Sequence, residues 1–152
     1  MANSESFMAA ALAEAAEAAR IGEVPVGAIL VLDNKIIARS GNRTRLANDV
    51  TAHAEIAVIR DASATLGQER LAGADLYVTL EPCTMCAAAI SFARIRRLYY
   101  GAEDLKGGAV DNGVRFFAQP TCHHAPEVYS GLGETEAASL LTSFFRSRRQ
   151  DD

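Results

Sequence analysis

Cysteine is scarce in this chain, with three among 152 residues. So small and odd a number argues against a disulfide framework, and a domain of this length buries about 68–70% of its unfolded-chain surface without one. Two of the three, Cys83 and Cys86, form a C-x-x-C, a metal-like spacing that fits a reducing compartment. Long apolar stretches are also missing. The longest apolar run, Val24 to Leu32, falls well short of the ~20 residues of a membrane helix. The alanine-rich N-terminal segment is interrupted by Glu5, Glu14 and Glu17 and has no basic leader, which argues against a secretory signal. A cytoplasmic protein without membrane association is expected. Positive charge is in deficit as well: 15 Lys and Arg stand against 19 Asp and Glu, a net charge of −4. That excess of acid argues mildly against generic nucleic-acid binding, which neutralises phosphates. Lysine itself is nearly absent, and thirteen of the fifteen basic residues are arginine. They cluster at Arg39, Arg43 and Arg45, at Arg94, Arg96 and Arg97, and at Arg146, Arg148 and Arg149. Arginine suits bidentate phosphate contact, although solvated helix and strand ends would look the same. No repeat, Pro/Ser-rich linker or low-complexity block divides the chain, so one domain over 1–152 is expected.

The pattern predicts alternating helices and strands. Residues 5–21 are rich in Ala, Leu and Glu and read as a helix stopped by Gly22. Val26–Leu32 and Lys35–Arg39 are β-rich runs separated by the turn formers Asp33 and Asn34, a hairpin. Residues 54–66 read as a helix ending at Gly67, Leu76–Leu80 as a buried strand, 84–94 as a helix and Arg97–Gly101 as a strand. A strand–helix–strand run of this kind is usually parallel with a right-handed crossover. A short helix is expected near Val114–Phe117, a short strand near Val128, and a last helix over 134–148. The sum is a three-layer α/β/α domain, a mixed sheet of about five strands with helices on both faces.

The chemistry lies in Thr51-Ala52-His53-Ala54-Glu55 and Glu81-Pro82-Cys83-Thr84-Met85-Cys86. One imidazole and two thiolates can hold zinc with three ligands, leaving a fourth tetrahedral position for water. On the predicted elements His53 begins the second helix, and Cys83 and Cys86 begin the third, with Pro82 as its entry. Helix N-termini carry positive partial charge and favour thiolate over thiol. Zinc lowers the pKa of water to about 7. Glu55 is not needed as a ligand and can carry protons beside that position. A closed structural site is the alternative, with Cys122, His123 or His124 as a fourth ligand; His123 or His124 could instead line a substrate mouth. The joint occurrence of H-x-E and P-C-x-x-C, separated by a helix–loop–strand segment, favours the open site.

That H-x-E…P-C-x-x-C pattern is the signature of zinc nucleobase deaminases, and the chain resembles the cytidine-deaminase-like superfamily. Within it, the chain is similar to the family of bacterial tRNA-specific adenosine deaminases. The resemblance runs through Glu23-Val24-Pro25-Val26-Gly27-Ala28, Asn42-Arg43, Leu76-Tyr77-Val78-Thr79-Leu80-Glu81-Pro82-Cys83, Met85-Cys86-Ala87, Tyr100-Gly101-Ala102, Asp104, Lys106 and Phe144-Phe145-Arg146. It implies His53, Cys83 and Cys86 as zinc ligands and Glu55 as the proton carrier. It implies substrate contacts from Asn42, Val24, Pro25 and Ala54 near the base, from Asp104 and Lys106 near the flanking nucleotides, and from Phe145 and Arg146. The implied reaction is hydrolytic deamination of adenosine to inosine at the first anticodon position, the partner a tRNA anticodon loop, and the assembly a homodimer. A free guanine or cytidine deaminase shares every zinc argument. A zinc-stabilised RNA-binding module would have no use for Glu55. The chain departs from the family pattern at Ala88, where Gly is common. It departs again after Lys106, where Gly107-Gly108-Ala109-Val110-Asp111-Asn112 replaces a usual Thr-Gly-Ala-x-Gly-Ser.

Overall fold

The computed structural model describes residues 3–151. Helix α1 spans Ser4–Arg20 and is capped by Asn3, whose side chain accepts the Ser6 N–H at 3.0 Å. Strands β1 (Gly27–Leu32) and β2 (Lys35–Gly41) form the expected hairpin. Asp33 and Asn34 adopt φ of 51° and 63°, the left-handed pair that a two-residue turn between twisted strands requires. Helix α2 covers Ala54–Leu66 and ends at Gly67, which takes φ 67°, the left-handed C-terminal position that glycine fills without strain.

Strand β3 (Asp75–Leu80), helix α3 (Thr84–Phe92) and strand β4 (Arg97–Ala102) follow. Helix α3 ends two residues before the predicted Arg94 because that residue turns left-handed, with φ 63°. The Ile95 N–H then bonds the Ile90 carbonyl and the Arg94 N–H the Ser91 carbonyl. This is the Schellman arrangement, here with arginine where glycine is usual. The expected short helix is a 3₁₀ turn at Phe116–Ala118, and strand β5 (Glu127–Ser130) and helix α4 (Glu134–Asp151) complete the fold.

The sheet order is β2-β1-β3-β4-β5. β1 is antiparallel to β2 and β3, while β3, β4 and β5 are parallel. Helices α1 and α4 pack on one face and α2 and α3 on the other. β1 is buried along almost its whole length because its alternating side chains feed two cores. Leu30 joins Val58, Leu76, Ile90 and Leu98 under α2 and α3, and Ile29 joins Met8, Leu12 and Tyr77 under α1. No helix of the described residues is long and apolar enough to cross a membrane.

The contact between α1 and the hairpin is unusually close. A methyl group on Gly27 would lie 2.0 Å from the Ala11 carbonyl oxygen and 2.4 Å from the Ala15 nitrogen. Backbone on both sides cannot yield as a flexible side chain would. Gly27→Ala should therefore cost about 3 kcal/mol, a fall of roughly 6–12 °C in Tm for a chain of this size. Thermal unfolding followed by circular dichroism measures it, and an unchanged Tm would refute the close packing.

Candidate active site

The site sits where two helices begin beside the C-terminal end of β3. His53 is the N-cap of α2 and Cys83 the N-cap of α3, and neither side chain caps its own helix. They turn toward each other instead. His53 Nδ1 lies 3.6 Å from Cys83 Sγ and 3.4 Å from Cys86 Sγ. Cys86, in the first turn of α3, is fully buried. Among the described residues these three form the one group of His, Cys and acidic side chains with ligand atoms close enough to hold a metal ion, all within 4.8 Å of one another. A tetrahedral zinc bound at ordinary Zn–S and Zn–N lengths sets its nitrogen and sulfur ligands about 3.5 Å apart. The donor set and its spacing therefore fit zinc.

The three groups perturb one another. A hydrogen bond from Cys86, with others from His53 and the backbone, holds the Cys83 thiol down to about 4, against the effect of its burial. The same contact with Cys83, together with burial, pushes the Cys86 thiol far up. The hydrogen bond with Cys83 raises His53, against the cost of burying an imidazolium. Glu55, in the first turn of α2, is only 4% exposed. Burial pushes its carboxyl up to about 7, although a backbone hydrogen bond and the nearby His53 oppose the shift. A carboxyl that titrates near neutrality can both take and give a proton at working pH.

Above this group opens a cavity of about 240 Å³, with His53, Cys83 and Glu55 on its wall and Val24, Asn42 and Asp104 among the residues around it. Asn42 is buried, and its amide nitrogen faces Thr44 Oγ1 at 3.3 Å. Two residues expected near the base are not on the cavity wall. Pro25 is buried and does not line the cavity, where Val24 and Val26 do. Ala54 is fully buried in the core under α2 and is not among the residues lining the cavity.

A second groove of about 840 Å³ shares Val24, Leu80 and Asp104 with the first and runs out past Lys106 to Phe145, Arg148 and Arg149 of α4. Arg146 does not line it. Positions 141, 145, 148 and 149 recur at helical spacing on one stripe, and residue 146 is turned about 100° from residue 145. The arginine clusters divide in the same way. Arg39, Arg96 and Arg97 are paired with Glu14, Asp75 and Glu127, whereas Arg148 stands at the groove.

Cys122, His123 and His124 are not gathered with the three ligands. Cys122 donates to the His124 carbonyl at 3.2 Å, and His124 Nε2 bonds the Ile95 carbonyl at 2.8 Å, which ties down the loop before β5. His123 is exposed. A sealed four-ligand site is therefore not assembled.

Two buried acids were given no role by the sequence reading. Glu23, 1% exposed, accepts the N–H groups of Arg45 and Leu46 and so pins the segment between Asn42 and His53. Glu81, 2% exposed, accepts main-chain N–H groups from Asp104, Val110, Asp111 and Asn112. Burial works to raise its carboxyl, yet these bonds and the Asn112 side chain bring it below the usual carboxylate range. For Glu81 the available signal was a charged residue directly after the predicted buried strand.

The fold and the His/Cys/Cys group with its buried glutamate define a deaminase, and the MafB19-like deaminase family model matches residues 2–149. The tRNA-specific adenosine deaminase of Agrobacterium fabrum is 73% identical over 152 residues, covering 100% of both chains. That of Rickettsia bellii is 45% identical, covering 93% of this chain and 99% of its own. A solved structure from a study of A-to-I editing by tRNA:A34 deaminases at the wobble position superposes with a TM-score of 0.88 at 76% identity, covering 89% of this chain and 98% of the other. The chain belongs to the family of tRNA-specific adenosine deaminases.

Proposed function

We infer that this protein hydrolytically deaminates adenosine to inosine at the first anticodon position of a tRNA, with zinc held by His53, Cys83 and Cys86. The observation that carries the reading is a buried carboxyl, Glu55, beside three side-chain atoms close enough together to hold a metal ion, at a cavity with room for one extruded base. Full-length similarity to tRNA-specific adenosine deaminases supports the choice of substrate. Zinc, when bound, supplies a Lewis acid that makes water acidic enough to ionise near neutral pH. The chain supplies the remaining functions. Asn42, with its amide nitrogen turned to Thr44, leaves its carbonyl oxygen free to accept from the base edge. Val24 and Val26 give the base an apolar wall. Glu55 takes one proton from the attacking water and delivers it to ring N1, then takes the remaining proton from the new C6 hydroxyl as the carbonyl forms and passes it to the departing amine, so that ammonia leaves as inosine forms. Extruding the base costs less from an anticodon loop, whose bases are already splayed, than from a duplex. Asp104, Lys106, Phe145 and Arg148 border the groove leading from the cavity, where phosphate contact and stacking suit the flanking nucleotides.

We read the chain as one domain acting in the cytoplasm as a homodimer. A monomer mass in light scattering would refute the dimer. The activity is tested by incubating the zinc-loaded protein with an anticodon stem-loop carrying adenosine at the first position and, separately, with free adenosine, cytidine and guanine. Inosine should appear in the stem-loop alone. Ammonia released from a free base, with the RNA untouched, would overturn the assignment in favour of a free-base deaminase.

A further inference from the structure

We propose that Glu81 is a positioning residue for the polynucleotide: its carboxylate is the internal anchor of the 104–112 loop that borders the substrate groove. The proposal rests on the function inferred above.

Between the end of β4 at Ala102 and the 3₁₀ turn at Phe116 the chain has no regular secondary structure, so its inward-facing N–H groups need partners from elsewhere. One side chain outside the loop supplies four of them. Glu81 Oε1 accepts from the Asp104 N–H at 3.0 Å and from Asn112 Nδ2 at 2.7 Å. Glu81 Oε2 accepts from the N–H groups of Val110, Asp111 and Asn112 at 3.0, 2.9 and 3.0 Å. The loop lies directly on the carboxylate, since a methyl group on Gly108 would meet Glu81 Cδ at 2.5 Å.

Residues of the 107–112 stretch are part of the anchor. Asn112 gives Glu81 a side-chain donor in addition to its backbone, and Asp111 accepts the hydroxyl of the buried Tyr100. The Ala109 N–H bonds the Pro82 carbonyl at 2.9 Å. The loop therefore rides on Glu81-Pro82-Cys83, the segment that ends in a metal-ligand side chain. Its outer side carries Asp104 at the cavity and Leu105 and Lys106 at the groove. A single buried charge thus sets the distance between the reacting centre and the surface that receives the RNA.

Glu81→Gln keeps the shape but points an amide N–H₂ at N–H donors, so part of the loop loses its acceptor. Amide hydrogen exchange at 104 and 110–112 should accelerate at least about tenfold, with α2 and α3 unchanged and zinc content retained. For the stem-loop, KM should rise at least about tenfold and by more than kcat falls. Asn112→Ala removes one donor and leaves the charge, so it should move both readouts in the same direction by less; it decides the question if Glu81→Gln does not fold. Unchanged loop exchange overturns the anchor. An unchanged KM, with kcat and zinc content falling together, overturns the positioning role. If the wild-type protein does not deaminate the stem-loop, the functional reading fails, and the exchange measurement still decides whether Glu81 holds the loop.

Discussion

Glu55→Gln should fold normally and retain zinc while losing turnover by about 10²–10⁴-fold, the range general acid–base catalysis supplies. The three parts of that result have separate causes. The fold is retained because the side chain is 4% exposed and the substitution replaces a buried carboxyl by a neutral group of the same shape, so no desolvation penalty is added. Zinc is retained because the ligand atoms belong to His53, Cys83 and Cys86. Turnover is lost because an amide cannot take a proton from water or return one to the ring and the leaving amine. Metal analysis, thermal unfolding and inosine formation on the stem-loop measure the three parts. A variant that unfolds or loses its metal would make Glu55 structural, and one that retains full turnover would move proton transfer to another group.

Removing the metal should abolish activity with equal completeness. Treatment with a strong chelator should leave a folded but inactive chain, because the core under α1 holds no neighbour of a ligand residue and, in the core under α2 and α3, only Ala54 is next to one in sequence. Its Tm should fall by roughly 5–10 °C, from about 2.7 kcal/mol of linkage at a hundredfold excess of zinc over Kd and the size dependence of Tm. Adding zinc should restore both. Cys86→Ser should imitate the chelated state and resist rescue, since a buried hydroxyl replaces the thiolate at one of three ligand positions. Turnover by chain shown to be metal-free would remove the basis of the hydrolytic mechanism.

Much of the architecture was legible from local chemistry. The Asp33–Asn34 turn and the helix ended by Gly67 formed where predicted, because left-handed backbone tolerance belongs to the residues themselves. The two miscounted residues at the end of α3 have the same kind of cause in reverse. Arg94 carries no signal for the left-handed turn it makes; packing of Ile95 into the core imposes it. The ligand group was legible because H-x-E and C-x-x-C each place their side chains within one helical turn, leaving tertiary structure only to bring two helix starts together.

The outer site was less legible. The stripe of α4 facing the groove excludes Arg146 and includes Arg148, a choice made by the rotation of the helix against α1 and β4. Pro25 and Ala54, suggested as base contacts by resemblance, are buried and do not line the cavity, whereas their neighbours Val24, Val26, His53 and Glu55 do.

From sequence alone came the element order, the hairpin, and the residue types able to bind zinc and move a proton, since turn preference, periodicity and ligand chemistry are properties of short segments. Tertiary structure alone showed that Glu81, which the sequence left without a role, holds a loop, and how different its surroundings are from those of Glu55. Glu55 meets thiols and an imidazole, whereas Glu81 meets a ring of backbone N–H groups. The same side chain has its carboxyl pushed up where burial dominates and held down where backbone N–H donors surround it.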